Sequence, residues 1–244
     1  MTDLNALLEW VPNLVRGLQL TLLATILGSL LMGVVALVLG LMARSHKLVI
    51  RGFARTVIEF FRGTSLLVQL FWFFYALPLL GLILDPLLAG VLALGFNYGA
   101  YGAEVVRGSI NAVPATQWEA ATALNLPPFR RMRRVIWPQA VALMIPAFNN
   151  LFIQLLKSTP LLYSITLLDL MNYGDAFRLN GGDAGLIYAV LLLIYFVMTY
   201  AFTFLFSIAE MRANKRLGRH EGFLSIFKSQ RVTREPDQGV EARV

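Results

Sequence analysis

Apolar residues occupy this chain in long blocks, not in alternation. Charge-free stretches cover Gly17–Ala43 (27 residues), Gly63–Leu84 (22), Pro86–Ala103 (18), Val135–Leu156 (22) and Ala184–Ala209 (26). At about 1.5 Å of rise per residue, roughly 20 helical residues cross a hydrocarbon layer of ~30 Å. Four of the runs clear that length, and Pro86–Ala103 does so once its interfacial ends are included. The pattern predicts an all-α integral membrane protein of about five transmembrane helices, at about 14–43, 60–84, 86–107, 135–156 and 184–209. On this reading residues 14–216 form the membrane domain and 1–13 a short external lead. Residues 108–134 form a long connector, and 217–244 a polar tail with the composition of a disordered end. The first run is too long for a signal-peptide core and reads as a retained helix.

Composition agrees: 57% of the residues are hydrophobic and 14% charged, where a water-soluble domain carries nearer a quarter charged. The net charge of +7 would suit nucleic acid, but the placement of the charge points to a membrane instead. Eighteen of the 21 Lys and Arg residues lie in the loop after the first run, the connector after the third and the tail, leaving Arg16, Lys157 and Arg178 for the opposite side. The positive-inside rule then puts the N-terminus outside and the C-terminus in the cytoplasm. Cysteine is absent, so neither a disulfide nor a thiolate metal site is available.

Polar residues inside the runs are few and informative. Thr21, Thr25 and Ser29 share one face of the first helix, and Gly95, Gly99 and Ala103 form a small-residue stripe on the third; both patterns predict close helix packing. The aromatic run Phe71–Tyr75 before Pro78 reads as part of an interfacial belt. Glu104 and Arg107, one turn apart, read as a local ion pair. The fourth run is expected to be interrupted by Pro138 and Pro146, and carries Asn149, Asn150 and Gln154. Carboxamides in hydrocarbon must face other helices or water. Ser158–Met171 is too short to span and reads as interfacial or re-entrant, followed by a polar, glycine-rich loop over Asn172–Asp183.

The connector is unusually long. Thr116 is expected to cap a short helix over Gln117–Leu124, with Glu119 completing a capping box, and Asn125 to take a left-handed turn after it. Pro127 or Pro128 then opens a second helix carrying Arg130, Arg131, Arg133 and Arg134. The result is a helix–turn–helix knob with a flat alanine surface, suited to a groove on another protein; composition alone favours a solvated basic loop that merely fixes topology.

Glu119-Ala-Ala121, the residue at 125, Val135 and Pro138 have the spacing of the EAA signature, Glu-Ala-Ala-x3-Gly-x9-Ile-x-Leu-Pro, of ABC importer permeases. Glu59-Phe-Phe-Arg-Gly-Thr-Ser-Leu-Leu-Val-Gln69, Ala100-Tyr-Gly-Ala-Glu-Val-Val-Arg-Gly108 and Leu156-Lys-Ser-Thr-Pro-Leu161 narrow it further. From about Leu14 to Arg216 the chain resembles the polar amino acid permeases of the histidine and glutamine type. Asn125 stands where the family has glycine and Trp137 where it has leucine; asparagine is the non-glycine residue most tolerant of positive φ.

The resemblance implies a type I importer permease fold in a bacterial cytoplasmic (inner) membrane. It also implies a second permease subunit, an ABC ATPase dimer and an external solute-binding protein as partners, with ATP and magnesium on the ATPase and no cofactor on this chain. Glu119, Ala120, Ala121, Asn125 and Pro138 would then couple to the ATPase, with Arg130 and Arg131 orienting the second helix. For a polar amino acid in the bundle, Thr64, Ser65, Gln69, Asn149, Asn150, Gln154 and Asp169 are the polar groups best placed by sequence. Asp169 either holds an ammonium or cationic group or is an exposed loop carboxylate. No Gly-x4-Gly-Lys-Ser/Thr phosphate loop occurs in the chain, so it is not itself the ATPase. A stand-alone channel or secondary transporter is the competing reading, though five spans do not divide into inverted halves. An intramembrane enzyme fits worse: His46 and His220 are the two histidines, and neither His-Glu-x-x-His nor Gly-x-Ser-x-Gly is present.

Overall fold

A computed structural model describes residues 3–216 of the chain; the tail expected at 217–244 lies outside the described residues. Among the described residues all regular structure is helical. Helix α1 runs unbroken from Asp3 to Met42, 40 residues or about 60 Å. The expected lead at 1–13 is therefore not a separate segment from Asp3 onward: it is the first part of α1. Trp10 fastens it, donating from Nε1 to the carbonyl of Tyr173 at 3.0 Å and meeting the Phe177 ring edge-on at 5.9 Å.

The second run is not one straight span. Helix α2 (Leu48–Gly63) ends at Thr64 and Ser65, both extended, and α3 (Leu66–Phe71) continues through a π turn (Trp72–Ala76) and a 3₁₀ turn (Leu77–Leu80). The two arms meet at 103°. Gly63 and two residues with strong local side-chain alternatives, Thr64 and Ser65, fall together at the break, which is where helix propensity is weakest. Thr64 uses its hydroxyl on the freed carbonyl of Phe60, at 2.8 Å.

Helix α4 (Pro86–Asn111) opens on Asp85, whose carboxylate accepts from the amide of Leu87 at 3.0 Å, with Pro86 in the first turn. It is the axis of the bundle. Gly95 and Gly99 face Leu31 and Val35 of α1, Gly102 faces Ala36, and from the other side Gly40 lies against Ala103 and Val106. A Cβ at any of these positions would come within 2.8 Å of its neighbour, so the two backbones touch because side chains are missing. The glycine stripe read from the sequence is this seam. Thr21 and Thr25 are buried as expected, and Thr21 Oγ1 accepts from the amide of Leu170 at 3.0 Å.

The basic connector holds α5 (Ala115–Ala123) and α6 (Pro128–Arg131). From α6 one continuous helical path leads through a π turn (Met132–Ile136) into α7 (Trp137–Ser158) and a 3₁₀ turn (Thr159–Ile165). Pro138 and Pro146 do not interrupt it. The π turn comes just before Pro138, with the amide of Trp137 reaching back five residues to Met132, and this wider turn accommodates the ring. Asn172–Asp183 is likewise not an irregular loop: Asp169 caps α8 (Leu170–Leu179), its Oδ1 accepting from the amide of Asn172 at 2.9 Å. Asp175 ties α8 down, accepting from Tyr163 at 2.7 Å and from Arg178 Nε at 2.8 Å. Helix α9 (Ala184–Arg216) closes the bundle.

Three helical stretches are long and apolar enough to cross a membrane: Asn5–Met42, Pro128–Ile165 and Ala184–Ile208; the bent pair makes a fourth. The remaining run, α4, is long enough at 26 residues but carries Asn97, Tyr98 and small residues, because protein surrounds it. In α9, by contrast, 11% of the apolar window is buried against 39% in α1. It is the least buried of the three. The seam makes a direct test possible. Gly40→Ala places a methyl 2.8 Å from the rigid carbonyl of Ala103, whereas Gly33 has open space. We expect Gly40→Ala to cost about 1–3 kcal/mol and Gly33→Ala to be neutral or stabilising by up to about 1 kcal/mol, read as thermal unfolding in detergent.

Candidate functional site

The knob at the basic end is built by three backbone devices. Pro114, extended, precedes α5, and the amide of Gln117 returns to its carbonyl at 3.0 Å. The helix thus starts before Thr116, which lies in the first turn, and the expected capping box does not form: no side chain caps this helix. Proline's fixed φ sets the start in its place. At the other end Asn125 takes φ 53°, with its own amide on Thr122 (2.9 Å) and that of Leu126 on Ala121 (3.1 Å). The left-handed conformation is the one anticipated for this residue, and the two bonds make it a Schellman closure. Pro127 and Pro128 then start α6 as anticipated.

Side chains brace the knob from beneath. Trp118 is half-buried and packs on the cluster of Ile110, Val113, Ile136 and Ala140. Two guanidinium groups lie over its ring, Arg131 at 5.7 Å and Arg44 at 5.9 Å from the centroid. Arg131 also donates to Thr122 Oγ1 and Arg44 to Asn111 Oδ1, both at 2.6 Å. Gln139 donates to Gln117 Oε1 at 3.2 Å. Ala121 faces inward at 2% exposure. Glu119, Ala120, Asn125, Arg130 and Pro138 are exposed, and so are two residues that sequence reasoning passed over: Leu124 at 74% and Phe129 at 76%. Their signal was available, as bulky apolar residues standing alone in the most basic segment. Trp118 gave no such signal, since its partners come from three other elements. Glu104 and Arg107 form the local pair read from sequence, Arg107 Nε donating to Glu104 Oε2 at 3.1 Å.

The polar candidates within the bundle do not converge. Thr64 and Gln69 meet at the elbow, Gln69 Nε2 donating to Thr64 Oγ1 at 2.6 Å and to the Phe61 carbonyl at 2.8 Å. Asn97, not anticipated, joins them from α4, donating to the same Phe61 carbonyl at 3.0 Å and to Gln69 Oε1 at 3.3 Å. Ser65 is exposed. The elbow borders an aromatic cavity of about 440 Å3 lined by Phe60, Phe61, Trp72, Phe73 and Phe96 with Thr64 and Gln69. On α7, Asn150 and Gln154 are exposed one turn apart, while Asn149 keeps a buried Oδ1 with no partner. Asp169 is fully buried, which excludes the exposed-loop reading.

Asp169 has a marked electrostatic consequence. Its Oδ2 is buried without a partner, and burial pushes the carboxyl above the ordinary aspartate range despite three backbone hydrogen bonds that pull the other way. An acid that holds its proton more tightly folded than unfolded makes folding less favourable as pH rises past its unfolded value, about 4. Asparagine caps helices as well as aspartate and carries no charge. We therefore expect Asp169→Asn to gain stability over the parent by about 1 kcal/mol near neutral pH, with the gain shrinking toward about pH 4. Thermal midpoints measured across that range check it, and a difference independent of pH would show that the ionised form is not penalised.

Comparison with known proteins agrees with this architecture. Residues 34–215 match the family model described as "Binding-protein-dependent transport system inner membrane component". The "Probable amino-acid ABC transporter permease protein y4tF" of Sinorhizobium fredii is 41% identical over 216 residues, covering 86% of this chain and 91% of that protein. The "L-cystine transport system permease protein TcyL" of Bacillus subtilis is 32% identical over 224 residues, covering 89% and 94%. A crystal structure of an amino acid ABC transporter with histidines superposes with a TM-score of 0.81 at 35% identity, covering 87% of this chain and 99% of that one. The inward-facing MetNI methionine ABC transporter shares the fold, at a TM-score of 0.68 and 20% identity. With the family model spanning most of its length and relatives aligned almost end to end, the chain belongs to the binding-protein-dependent transport system inner membrane components, the multi-pass permease subunits of ABC importers.

Proposed function

We propose that this permease subunit carries polar amino acids or closely related small solutes inward, and that its basic knob is the element on which a separate ATPase acts. The observation that carries the second half is the pair Leu124 and Phe129, large apolar side chains exposed on a braced knob among arginines. They stand in the connector, outside the apolar runs that meet lipid, so a protein groove is the surface that removes them from water. Glu119, Ala120 and Asn125 are exposed in the same segment. Ala121 supports the helix from inside and does not belong to the contact. The substrate class is supported by the named transport roles of the relatives: cystine for TcyL and amino acids for y4tF.

The basic ends of the helices lie in the cytoplasm and the N-terminus outside, by the distribution of Lys and Arg. An ABC ATPase dimer, carrying the ATP and magnesium, then meets the knob, and an external solute-binding protein delivers solute to the opposite end. Asn150 and Gln154, exposed on a helix long enough to span the bilayer, need protein or water beside them. A second permease subunit, identical or related, covers that face and encloses a polar path between the two. Closure of the ATPases moves both knobs as rigid levers, and the bundle alternates between inward- and outward-open states. A self-contained channel has no use for an exposed apolar contact on a rigid cytoplasmic knob.

The reading makes a definite demand on the knob surface. Ala120→Arg, or Phe129→Ser, is expected to lower ATP-driven uptake by about tenfold or more, with the protein still inserted at its normal level, since central interface residues commonly contribute 2 kcal/mol or more. Uptake by whole cells and recovery of the ATPase on the purified permease are the two measurements. Normal uptake in both variants would mean that the knob takes no part in coupling.

A further inference from the structure

The knob touches the rest of the bundle through few side chains, and one of them stands at the crossing of three elements. Trp118 projects from α5 toward the bundle, onto Ile110 and Val113 at the end of α4 and Ile136 in the π turn before α7. One guanidinium beside its ring, Arg131, belongs to α6 and is tied back to α5 through Thr122. The other, Arg44, comes from the turn just after α1 and is fixed to Asn111, the last residue of α4. The ring therefore links the knob to α1 and α4 at the point where those two helices end together.

We propose that Trp118, with the guanidinium groups of Arg44 and Arg131 over its ring, is the positioning residue that makes the knob move with α1, so that displacement of the knob is delivered to the α1–α4 axis and not absorbed in the connector. This rests on the reading that an ATPase drives the knob. Three physical points support it. A guanidinium within about 6 Å of an indole is an attraction that does not require a fixed side-chain torsion on the cation, so it holds while small rotations occur. Arginine's planar fork also lets Arg44 bind Asn111 and still lie by the ring. Finally, Gly108–Ala112 gives way to Val113 and Pro114 with backbone hydrogen bonds at 108–112 and 114–117 only, so the main chain between α4 and α5 contains a joint that side chains must stiffen.

The chain has no cysteine, so within it spin labels attach only where cysteines are introduced. Labels at His46→Cys and Thr116→Cys report the separation of the α1 end from α5. The measurement uses the full-length permease with the ATPase that co-purifies with it, with and without ATP and vanadate. In the parent we expect one narrow separation that is the same in both nucleotide states. Trp118→Leu is expected to lose it, giving a broad or nucleotide-dependent distribution while the ATPase remains bound. Trp118→Phe keeps an aromatic face and is expected to restore the narrow distribution. Arg44→Gln, a surface change that leaves the core cluster intact, is expected to broaden it in part, and it serves if Trp118→Leu does not fold. An unchanged narrow distribution in Arg44→Gln and Trp118→Leu overturns the proposal, as does failure of Trp118→Phe to restore what leucine loses. Failure of any ATPase to co-purify with the parent chain would instead remove the coupling reading itself.

Discussion

The contact on which the rest of this structure depends is the seam between α1 and α4. Between helices in lipid there is little hydrophobic gain to draw on, so association rests on van der Waals contact and on polar groups that find each other. Here Gly95, Gly99 and Gly102 on one side and Gly40 on the other remove the side chains that would hold the backbones apart. Close approach along the seam brings the end of α1 beside the end of α4, where Arg44 reaches Asn111. The base of the knob is therefore set by packing that begins deep in the membrane domain.

Polar groups inside the bundle are handled in two ways. At the elbow between α2 and α3, Thr64, Gln69 and Asn97 satisfy one another and the Phe61 carbonyl, which removes the cost of breaking a helix at membrane depth. That cluster is architectural in its contacts, though it borders an aromatic cavity. Asn150 and Gln154 have no such internal partners and face outward from α7. Groups of the first kind are satisfied within the chain; groups of the second are what the proposed second subunit would cover.

The knob combines a rigid interior with an unsatisfied exterior. Its backbone is closed by proline at one end and by a left-handed asparagine at the other, and its inner side is braced by Trp118 and two arginines. Its outer side exposes Leu124 and Phe129. A rigid element with apolar residues facing water is stable in the folded chain yet gains by binding, which is what the proposed coupling to an ATPase requires.

Much of this was legible in the residues alone, because lipid imposes strong and simple rules. The helical nature of the apolar blocks, the glycine stripe on α4, the left-handed turn at Asn125 and the helix start at Pro127 and Pro128 each follow from a local constraint: the apolarity lipid demands, the absence of a Cβ, or a fixed φ. What the residues could not decide was every feature set by a partner distant in sequence. The 103° elbow, the passage of α7 through two prolines, and the burial of Asp169 beneath α8 all depend on which helix lies alongside. So does the candidate site: the spacing pointed to Glu119, Ala120, Ala121 and Asn125, but the inward turn of Ala121 and the placing of Arg44 and Arg131 over Trp118 arise only when α1, α4 and α6 meet around α5. Local chemistry along the chain determined which segments are helices and where they turn. Tertiary packing decided which faces are hidden and which are offered, because exposure is a property of neighbours and not of residues.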